Sequence, residues 1–323
     1  MTVQAIKECR PSNIQEAFSK LEELAFSKQE IIFRGHSSSK FRLTSTFSRY
    51  LAKNNWRVWS GKIVDDLVAD FIARSRSNEP TAWLPADIKN RRAAMEFARH
   101  YGVPSPLIDF TFSPYVAIFF AYDGAQFGSV CNKDDDCVVI YALNTHVLGA
   151  SWVHRKFSNT ECKKNEKYEE YRKFIGAEYD IFDESCPSGI LKLIYSPASW
   201  NKRMQSQMGS FLYDSIDHNQ YNSCESKERR VLEDFIQEME VNSCERECGD
   251  QPIITKLFMK ISWSEEVFWR LELMGVTGAH LLGWDGAARD IWNRPNRQTG
   301  RNLRARITGH AWDLDFLRDK SDS

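Results

Sequence analysis

Residues 100–121 have the sequence HYGVPSPLIDFTFSPYVAIFFA, and this stretch determines the class of fold more clearly than any other. Pro104 and Pro106 exclude a helix at its start, because proline lacks an amide hydrogen and restricts the residue before it. The apolar segment 107–111 then predicts a buried strand. Pro114 suits the first turn of a helix, and the apolar run after it predicts that this helix is also buried. A strand followed directly by a buried helix indicates a domain of mixed α and β structure.

Apolar periodicity predicts further helices and strands on both sides of this stretch. Ser12 and Gln15 have the spacing of a capping box, and Ser264 is the expected N-cap of a late helix. The helices predicted from three- and four-residue apolar spacing span residues 12–25, 62–73, 87–100 and 264–274. The strands predicted from short apolar runs span residues 31–33, 138–143, 190–195, 211–213 and 255–261. The predicted fold class is α+β, a compact mixed α/β domain.

The 323 residues divide into a core with additions. Residues 1–30 are predicted to form an N-terminal helix ahead of the core, which spans residues 31–290. Two polar stretches within the core, 144–186 and 214–251, indicate insertions between buried elements, the second with helical character. Residues 291–323 form a basic C-terminal tail.

The charge and hydropathy of the chain limit its partners. The net charge of −1 provides no overall field that favours nucleic acid or an anionic membrane. Basic residues still cluster at 89–99 and 289–306, which is compatible with a substrate groove that has basic walls. No window approaches the roughly 18 apolar residues that cross a bilayer, and residues 1–10 lack the order of a signal peptide. These features predict a cytoplasmic protein without a membrane partner.

Eight cysteines raise the question of disulfides or zinc. Disulfide bridges are not expected without a secretion signal. Cys244 and Cys248 form a CxxxC pair with Cys224 upstream, whereas structural zinc sites usually have CxxC knuckles or Cys/His pairs. Reduced structural thiols are the favoured interpretation, and no metal site is predicted.

Four blocks of residues occur in an order that resembles one protein family. The first is Phe33-Arg34-Gly35, and the second is the 100–121 stretch. The third lies within residues 203–211, and the fourth within residues 273–286. In this order they resemble the FRG domain family, which is named for the Phe-Arg-Gly tripeptide. The FRG domain is in turn similar, in block order, to NAD-dependent ADP-ribosyltransferases.

The resemblance to ADP-ribosyltransferases implies a split sheet, NAD as the substrate and a set of site residues. Arg34 and Gly35 match an arginine and glycine at the end of a first strand. Thr111 and Ser113 match a strand that carries hydroxyl side chains, and Gln207 is nearest to the position of a catalytic glutamate. The resemblance also implies a toxin or effector with an intracellular target, in bacterial anti-phage defence or a toxin–antitoxin pair. The macromolecular acceptor is left open, and an antitoxin or regulatory protein is an implied partner.

These side chains suit cleavage of the bond between nicotinamide and ribose. The forked guanidinium of Arg34 can bind phosphate oxygens, and Gly35 permits a ligand to approach the backbone closely. Thr111 and Ser113 are two positions apart, so both hydroxyls would face one side of an extended segment and orient the ribose. Tyr101 is expected to stack on nicotinamide.

The position near the ribose 2′-OH carries an amide where the resemblance implies a glutamate. Gln207 could donate or accept a hydrogen bond there, but it lacks the negative charge with which a glutamate stabilises the transition state. Glu178, in the first inserted region, is an alternative source of that charge.

Each candidate also has a structural interpretation, which the sequence leaves open. Arg34 could pair with Asp109, since a buried charge requires a partner. Thr111 and Ser113 could form the N-cap of the following helix, and Gln207 could satisfy backbone groups. A cation at the end of a helix interacts favourably with the helix dipole. The residues expected to support the site in such ways are His100, Asp109 and Arg203.

Other functions compete with the enzyme. A non-catalytic module could bind a nucleotide or a nucleic-acid end in the same cleft, and the amide at Gln207 favours it. A metal-dependent nuclease requires clustered carboxylates, and the acidic run 134–136 lies in a polar loop. Trp269 is expected in the core. Trp284 and Trp292, with nearby arginines, predict either a stacking surface for a base or a packed edge.

Overall fold

The structure is a computed structural model of the chain. It describes residues 4–55, 62–78, 91–127, 136–157, 166–167, 169, 191–194, 202–214, 231–239 and 251–293. None of the helices in these ranges is long and apolar enough to cross a membrane.

The described residues form a mixed α and β fold, as the sequence predicts. The strands are β1 (Ile6–Cys9), β2 (Ile31–His36), β3 (Leu107–Thr111), β4 (Cys137–Asn144), β5 (Leu191–Ile194), β6 (Gly209–Asp214) and β7 (Ile254–Lys260). The helices before β4 are α1 (Ile14–Ala25), α2 (Thr46–Lys53), α3 (Lys62–Asn78), α4 (Arg91–His100) and α5 (Pro114–Phe127). Those after it are α6 (Thr145–Phe157), α7 (Lys202–Ser206), α8 (Leu232–Gln237), α9 (Ser264–Leu273), α10 (Gly278–Leu282) and α11 (Trp284–Asn293). A 3₁₀ turn, Ile261–Trp263, precedes α9.

The seven strands form one sheet in the order β1-β7-β4-β2-β3-β6-β5. The β1–β7 pair is parallel, and the other pairs are antiparallel. Strands β2 and β4 are registered along their whole length, from Ile31 opposite Asn144 to His36 opposite Val139. By contrast, β2 and β3 are registered only where Phe33 lies opposite Thr111. The sheet therefore opens between β2 and β3 beyond this pair.

Three apolar clusters cover the sheet and leave a space at this opening. Helices α1, α5 and α9 bury one face of β2, β4 and β7, with Phe33, Ile118 and Phe268 among the buried residues. Helices α6 and α8 pack on the other face. Helices α2, α3 and α4 pack against Leu107 and Phe211 on β3 and β6. Because α5 and α4 cover different parts of the sheet, a groove remains between them where β2 and β3 separate.

The N-terminus of α1 differs by one residue from the predicted capping box. The side chain of Asn13, not Ser12, is the N-cap and accepts a hydrogen bond from the Glu16 amide. Glu16, not Gln15, reaches back to the Ser12 amide at 2.8 Å. Ser264 is likewise not an N-cap, because the 3₁₀ turn before it has already begun the helical path.

Six elements of the described residues were not predicted from the sequence, namely β1, α2, α6, α7, α10 and α11. Strand β1 pairs with β7 at an edge and is only partly buried, so it lacks a recognisable apolar run. Helix α2 lies between the predicted first strand and second helix. Helix α6 lies in the stretch predicted to be an irregular insertion, and Asn144 caps it by accepting from the Val147 amide.

The tryptophan predictions have mixed outcomes. Trp269 was predicted to be core, but it is 59% exposed, so that prediction was wrong. Trp284 is 93% exposed at the start of α11, which excludes a packed edge at this residue. Several predictions concern positions outside the described residues, namely Glu178, the acidic residues 134–135, the cysteines at 224, 244 and 248, the side chain of Trp292 and the tail after residue 293.

Candidate functional site

A cleft of about 310 Å³ lies at the opening between β2 and β3. Three arginines and one carboxylate line it among the described residues, together with a set of apolar side chains. The polar and small residues that line it are Arg34, Gly35, Arg99, Asp109, Thr111, Arg203 and Gln207. The apolar residues are Phe33, Phe110, Val116, Ala117, Phe120, Met204 and Leu282.

Arg34 crosses the gap between the two strands. Its Nε donates to Nε2 of His36 at 2.8 Å, and its Nη1 donates to the backbone carbonyl of Asp109 at 2.6 Å. The Asp109 carboxylate lies 3.7 Å from the same Nη1. Within the described part of the chain, Nη2 has no hydrogen-bond partner. Two edges of the guanidinium are thus held by protein, and the third faces the cleft.

Burial lowers the pKa of Arg34 to about 10, with further lowering by the positive charges of Arg99 and Arg49 and a partial offset by Asp109. Arg34 therefore remains protonated at neutral pH. A charge that is buried this far and surrounded by like charges gains more from an added anion than a solvated arginine would.

His36 fixes the orientation of Arg34 from behind. Burial and the adjacent Arg34 charge lower the pKa of His36 to about 3, so the imidazole is neutral at physiological pH. Because Nε2 accepts from Arg34, the ring proton must lie on Nδ1, which is 3.3 Å from the carbonyl of Phe41. The tautomer follows from these partners.

A buried polar network continues from His36 away from the cleft. The Tyr141 hydroxyl lies 3.0 Å from both the Phe41 carbonyl and the Glu233 carboxylate. Burial alone would raise the pKa of Glu233, but hydrogen bonds from Lys256, the Leu43 amide and Tyr141 together lower it. The position of Arg34 thus depends on a network that spans β2, β4, β7 and α8.

Arg99 and Arg203 complete the charged wall. Arg99 pairs through Nη2 with the Asp109 carboxylate, while its buried Nε has no hydrogen-bond partner in the part of the chain that the structure describes. The buried Nε of Arg203 also has none among the described residues. Among the described residues that line the cleft, these two side chains and Arg34 place three positive charges against the one negative charge of Asp109, a net charge of +2. The electrostatics of the cleft favour an anion.

Thr111 and Ser113 do not act as the predicted pair. Thr111 lines the cleft, but its hydroxyl donates to the Gln207 carbonyl at 2.7 Å and accepts from the Ser113 amide at 3.0 Å. Ser113 is not among the lining residues, and its hydroxyl accepts from the Val116 amide at 3.4 Å as the cap of α5. The strand ends at Thr111, so the two hydroxyls do not share one side of an extended segment.

Gln207 lines the cleft at the turn between α7 and β6. Its side-chain nitrogen donates to the Leu281 carbonyl in α10 at 3.1 Å. The next residue, Met208, has a positive φ of 47°, which completes the sharp turn into β6. Within the described residues, the side-chain oxygen of Gln207 has no hydrogen-bond partner.

Gly35 serves helix packing rather than ligand approach. A Cβ added at this residue would lie 2.0 Å from the Ala117 carbonyl oxygen and 2.9 Å from the Ala121 amide nitrogen. Only glycine allows β2 to contact the backbone of α5 this closely. Although Gly35 borders the cleft, the steric constraint comes from the helix.

Tyr101 does not line the cleft as predicted, and the predicted role of His100 lies outside the described residues. Tyr101 is 64% exposed, packs against the rings of Phe71 and Phe97, and is absent from the lining of the cleft. His100 is the last residue of α4, and its side chain is outside the described part of the structure. Stacking on nicotinamide is therefore not available to Tyr101 in this arrangement.

Sequence reasoning missed Arg99 and His36. Arg99 belongs to the basic cluster 89–99, but the sequence does not show which arginine of a helix faces a distant strand. His36 could have been found, because it is two positions from Arg34 on one strand and shares its side of the strand. The described residues contain no group of three His, Cys, Asp or Glu side chains that could hold a metal ion.

Comparison with known proteins adds one assignment. Residues 29–127 match the family model of the FRG domain. The FRG match spans β2 to α5 and so includes Arg34, Arg99, Asp109 and Thr111. Arg203 and Gln207 complete the cleft from outside the matched FRG segment. No curated protein and no solved structure matches the chain.

Proposed function

We propose that the chain is an NAD-dependent ADP-ribosyltransferase-like enzyme that binds NAD in the Arg34 cleft. One observation carries the proposal: Arg34, Thr111 and Gln207, which come from distant parts of the sequence, line a single cleft. These are three of the positions at which the sequence resembles ADP-ribosyltransferases. The opening of the sheet between β2 and β3 supports the same comparison, since that resemblance implies a split sheet.

The electrostatics of the cleft support a phosphate-bearing substrate. The free Nη2 edge of Arg34 can donate to a phosphate oxygen while His36 and Asp109 hold the rest of the guanidinium. The ring of Phe120 and the side chains of Val116 and Leu282 supply an apolar surface for nicotinamide, in place of Tyr101.

The proposed reaction breaks the bond between nicotinamide and ribose. The bonding electrons leave with nicotinamide, positive charge develops on the ribose, and water or an acceptor nucleophile forms the new bond. The side-chain oxygen of Gln207 can accept a hydrogen bond from a ribose hydroxyl. Thr111 acts indirectly. Its hydroxyl donates to the backbone carbonyl of Gln207 and so stabilises the turn from which the Gln207 side chain extends.

The biological setting of the proposal comes from the family resemblance rather than from any residue. It is a toxin or effector role against an intracellular target, in anti-phage defence or a toxin–antitoxin pair, with a regulatory partner. The acceptor can be sought by incubating the purified protein with labelled NAD and cell lysate. A labelled macromolecule or free nicotinamide supports the proposal, and neither product at any NAD concentration contradicts it.

A second candidate is a non-catalytic module that binds a nucleotide or nucleic-acid end in this cleft. Two observations favour it. The side-chain amide of Gln207 donates to the Leu281 carbonyl, and Asp109, the one carboxylate among the described lining residues, is paired with Arg99. Neither group offers a free negative charge to a developing cation. Saturable nucleotide binding without nicotinamide release would support this alternative.

A further inference from the structure

We propose that Arg99 and Arg203 form a phosphate-binding subsite on the α4 and α7 wall of the cleft, with Asp109 as its resident counterion. This inference deepens the proposed function because it assigns the substrate's phosphate groups to a place in the same cleft. It adds two ligand-binding residues to Arg34. The ligand class is a small molecule with one or more phosphate groups.

The first argument is that both arginines are incompletely bonded. The Nε atoms of Arg99 and Arg203 are buried and lack hydrogen-bond partners in the described part of the chain. Buried side-chain donors are nearly always paired in folded proteins, so two such arginines in one cleft require an explanation. Both residues line the cleft, so an oxyanion bound there would give the terminal nitrogen atoms of these two guanidinium groups an acceptor.

The second argument is the position of Asp109. Its carboxylate pairs with Arg99 and lies 3.7 Å from Nη1 of Arg34, so the two guanidinium groups already converge on one anionic group. The Asp109 side chain is 42% exposed and can therefore exchange protein contacts for water. Among the described residues that line the cleft, this single carboxylate meets three guanidinium groups, which leaves a net charge of +2 for a ligand.

The third argument concerns the place of Arg203. It lies in α7, and its backbone carbonyl accepts a hydrogen bond from the backbone N–H of Gln207 at 3.1 Å. Gln207 and Arg203 are thus separated by one helical turn and line the same cleft. A ligand that contacts the Gln207 side chain through a ribose could place its phosphates at Arg203.

Size and charge favour a small phosphate ligand over a polymer. Phosphate presents several oxygens in different directions, which suits three guanidinium groups better than a planar carboxylate does. The cleft volume of about 310 Å³ is at the lower end of small-molecule sites. The net charge of −1 on the whole chain gives no extended field for a nucleic-acid polymer.

The subsite can be tested with inorganic pyrophosphate as the probe, using calorimetry on the purified full chain. Arg203→Ala should weaken pyrophosphate binding by at least about tenfold, since a charge-assisted bond to the ligand is lost. Circular dichroism of Arg203→Ala should verify that the fold persists, so that weaker binding reports the lost guanidinium. Arg74→Ala is a matched control: it removes one positive charge from an exposed helix surface and should change affinity less than about twofold.

Arg99→Gln provides the second variant and should weaken pyrophosphate binding to a similar degree. Wild-type affinity in Arg203→Ala, or no pyrophosphate binding by the wild-type chain, would overturn the subsite. The proposed enzyme activity is judged separately by nicotinamide release. Pyrophosphate binding that depends on Arg203, without NAD cleavage, would leave the subsite intact and contradict only the transferase.

Discussion

Nη1 of Arg34 donates a 2.6 Å hydrogen bond to the backbone carbonyl of Asp109, 75 positions further along the chain. The bond lies where β2 and β3 part after their one registered pair, so a side chain replaces a missing contact between strands. The two interpretations of Arg34 are therefore not exclusive. Nε and Nη1 hold the protein together, and Nη2 faces the cleft.

Replacing Arg34 should affect stability and ligand binding to different extents. Arg34→Ala leaves the Asp109 carbonyl and Nε2 of His36 without their donor, which should cost about 1–3 kcal/mol for each buried partner. Arg34→Lys can restore one of those contacts but cannot fork, so it should recover part of the stability and almost none of the nucleotide affinity. Urea denaturation and calorimetric titration with NAD measure the two effects.

Two outcomes would oppose this division of roles. If Arg34→Lys binds NAD as tightly as the wild type, the free Nη2 edge has no role in binding. If Arg34→Ala fails to fold at all, the contacts of Arg34 with His36 and Asp109 matter more for the fold than its free edge does for ligand binding.

Gly35 offers a test of its packing role. Gly35→Ala would place a methyl group 2.0 Å from the Ala117 carbonyl oxygen, so α5 must move away from β2. We expect a loss of about 1–3 kcal/mol or more in the free energy of unfolding. Gly124→Ala, a substitution within α5 itself, is the control, since the added Cβ would meet only the Ser37 side chain, at 3.1 Å. Equal denaturation midpoints for the two variants would show that β2 and α5 are not tightly constrained.

The buried neutral His36 predicts a specific dependence of stability on pH. Its pKa of about 3 in the folded protein is below its ordinary value of 6.5. Between these values the unfolded chain takes up a proton that the folded chain does not. The free energy of unfolding should therefore fall as the pH falls from 6.5 toward 3, by up to about 1.4 kcal/mol per pH unit.

His36→Gln isolates this contribution, because glutamine does not titrate but can still accept from Nε of Arg34. Denaturation curves at pH 7, 6 and 5 should show a steeper loss of stability for the wild type than for the variant. Parallel losses would mean that His36 takes up a proton in the folded state as readily as in the unfolded state.

The sequence predicts most of the fold because buried elements have strong local patterns. The apolar run at 107–111 and the Pro114 start of α5 are sufficient to place β3 and its following helix. Edge strand β1 has no apolar pattern of its own, because it is stabilised by pairing with β7 rather than by burial of apolar side chains. The N-cap of α1 is also difficult to predict from sequence, since Ser12 and Asn13 are both suitable and only the geometry of the turn selects Asn13.

The site was less predictable because its contacts are between distant residues. Arg34 and Gln207 could be assigned to one cleft by resemblance. The sharing of Asp109 between Arg34 and Arg99 depends on how α4 packs against β3. Similarly, Tyr101 is beside the candidate residues in sequence but points to the aromatic cluster of α3 and α4.

Gln207→Glu tests the meaning of the amide. A glutamate would stabilise positive charge on ribose, and preorganised groups of this kind are worth around 2.7–4 kcal/mol in other enzymes. We expect NAD turnover to be kept or raised, although the variant loses the hydrogen bond to Leu281. Gln207→Ala removes that bond without adding charge and is the control. Weaker nucleotide binding with no turnover in Gln207→Glu would favour the non-catalytic module.

The most direct test of the central claim is the release of nicotinamide from NAD by the purified full chain. The wild type should release free nicotinamide or label an acceptor in lysate, and Arg34→Ala should do neither. Folding of the variant should be verified by circular dichroism in the same preparation. If the wild type binds a nucleotide but releases no nicotinamide and labels no acceptor at any NAD concentration, the cleft is a binding site and the enzyme assignment is wrong.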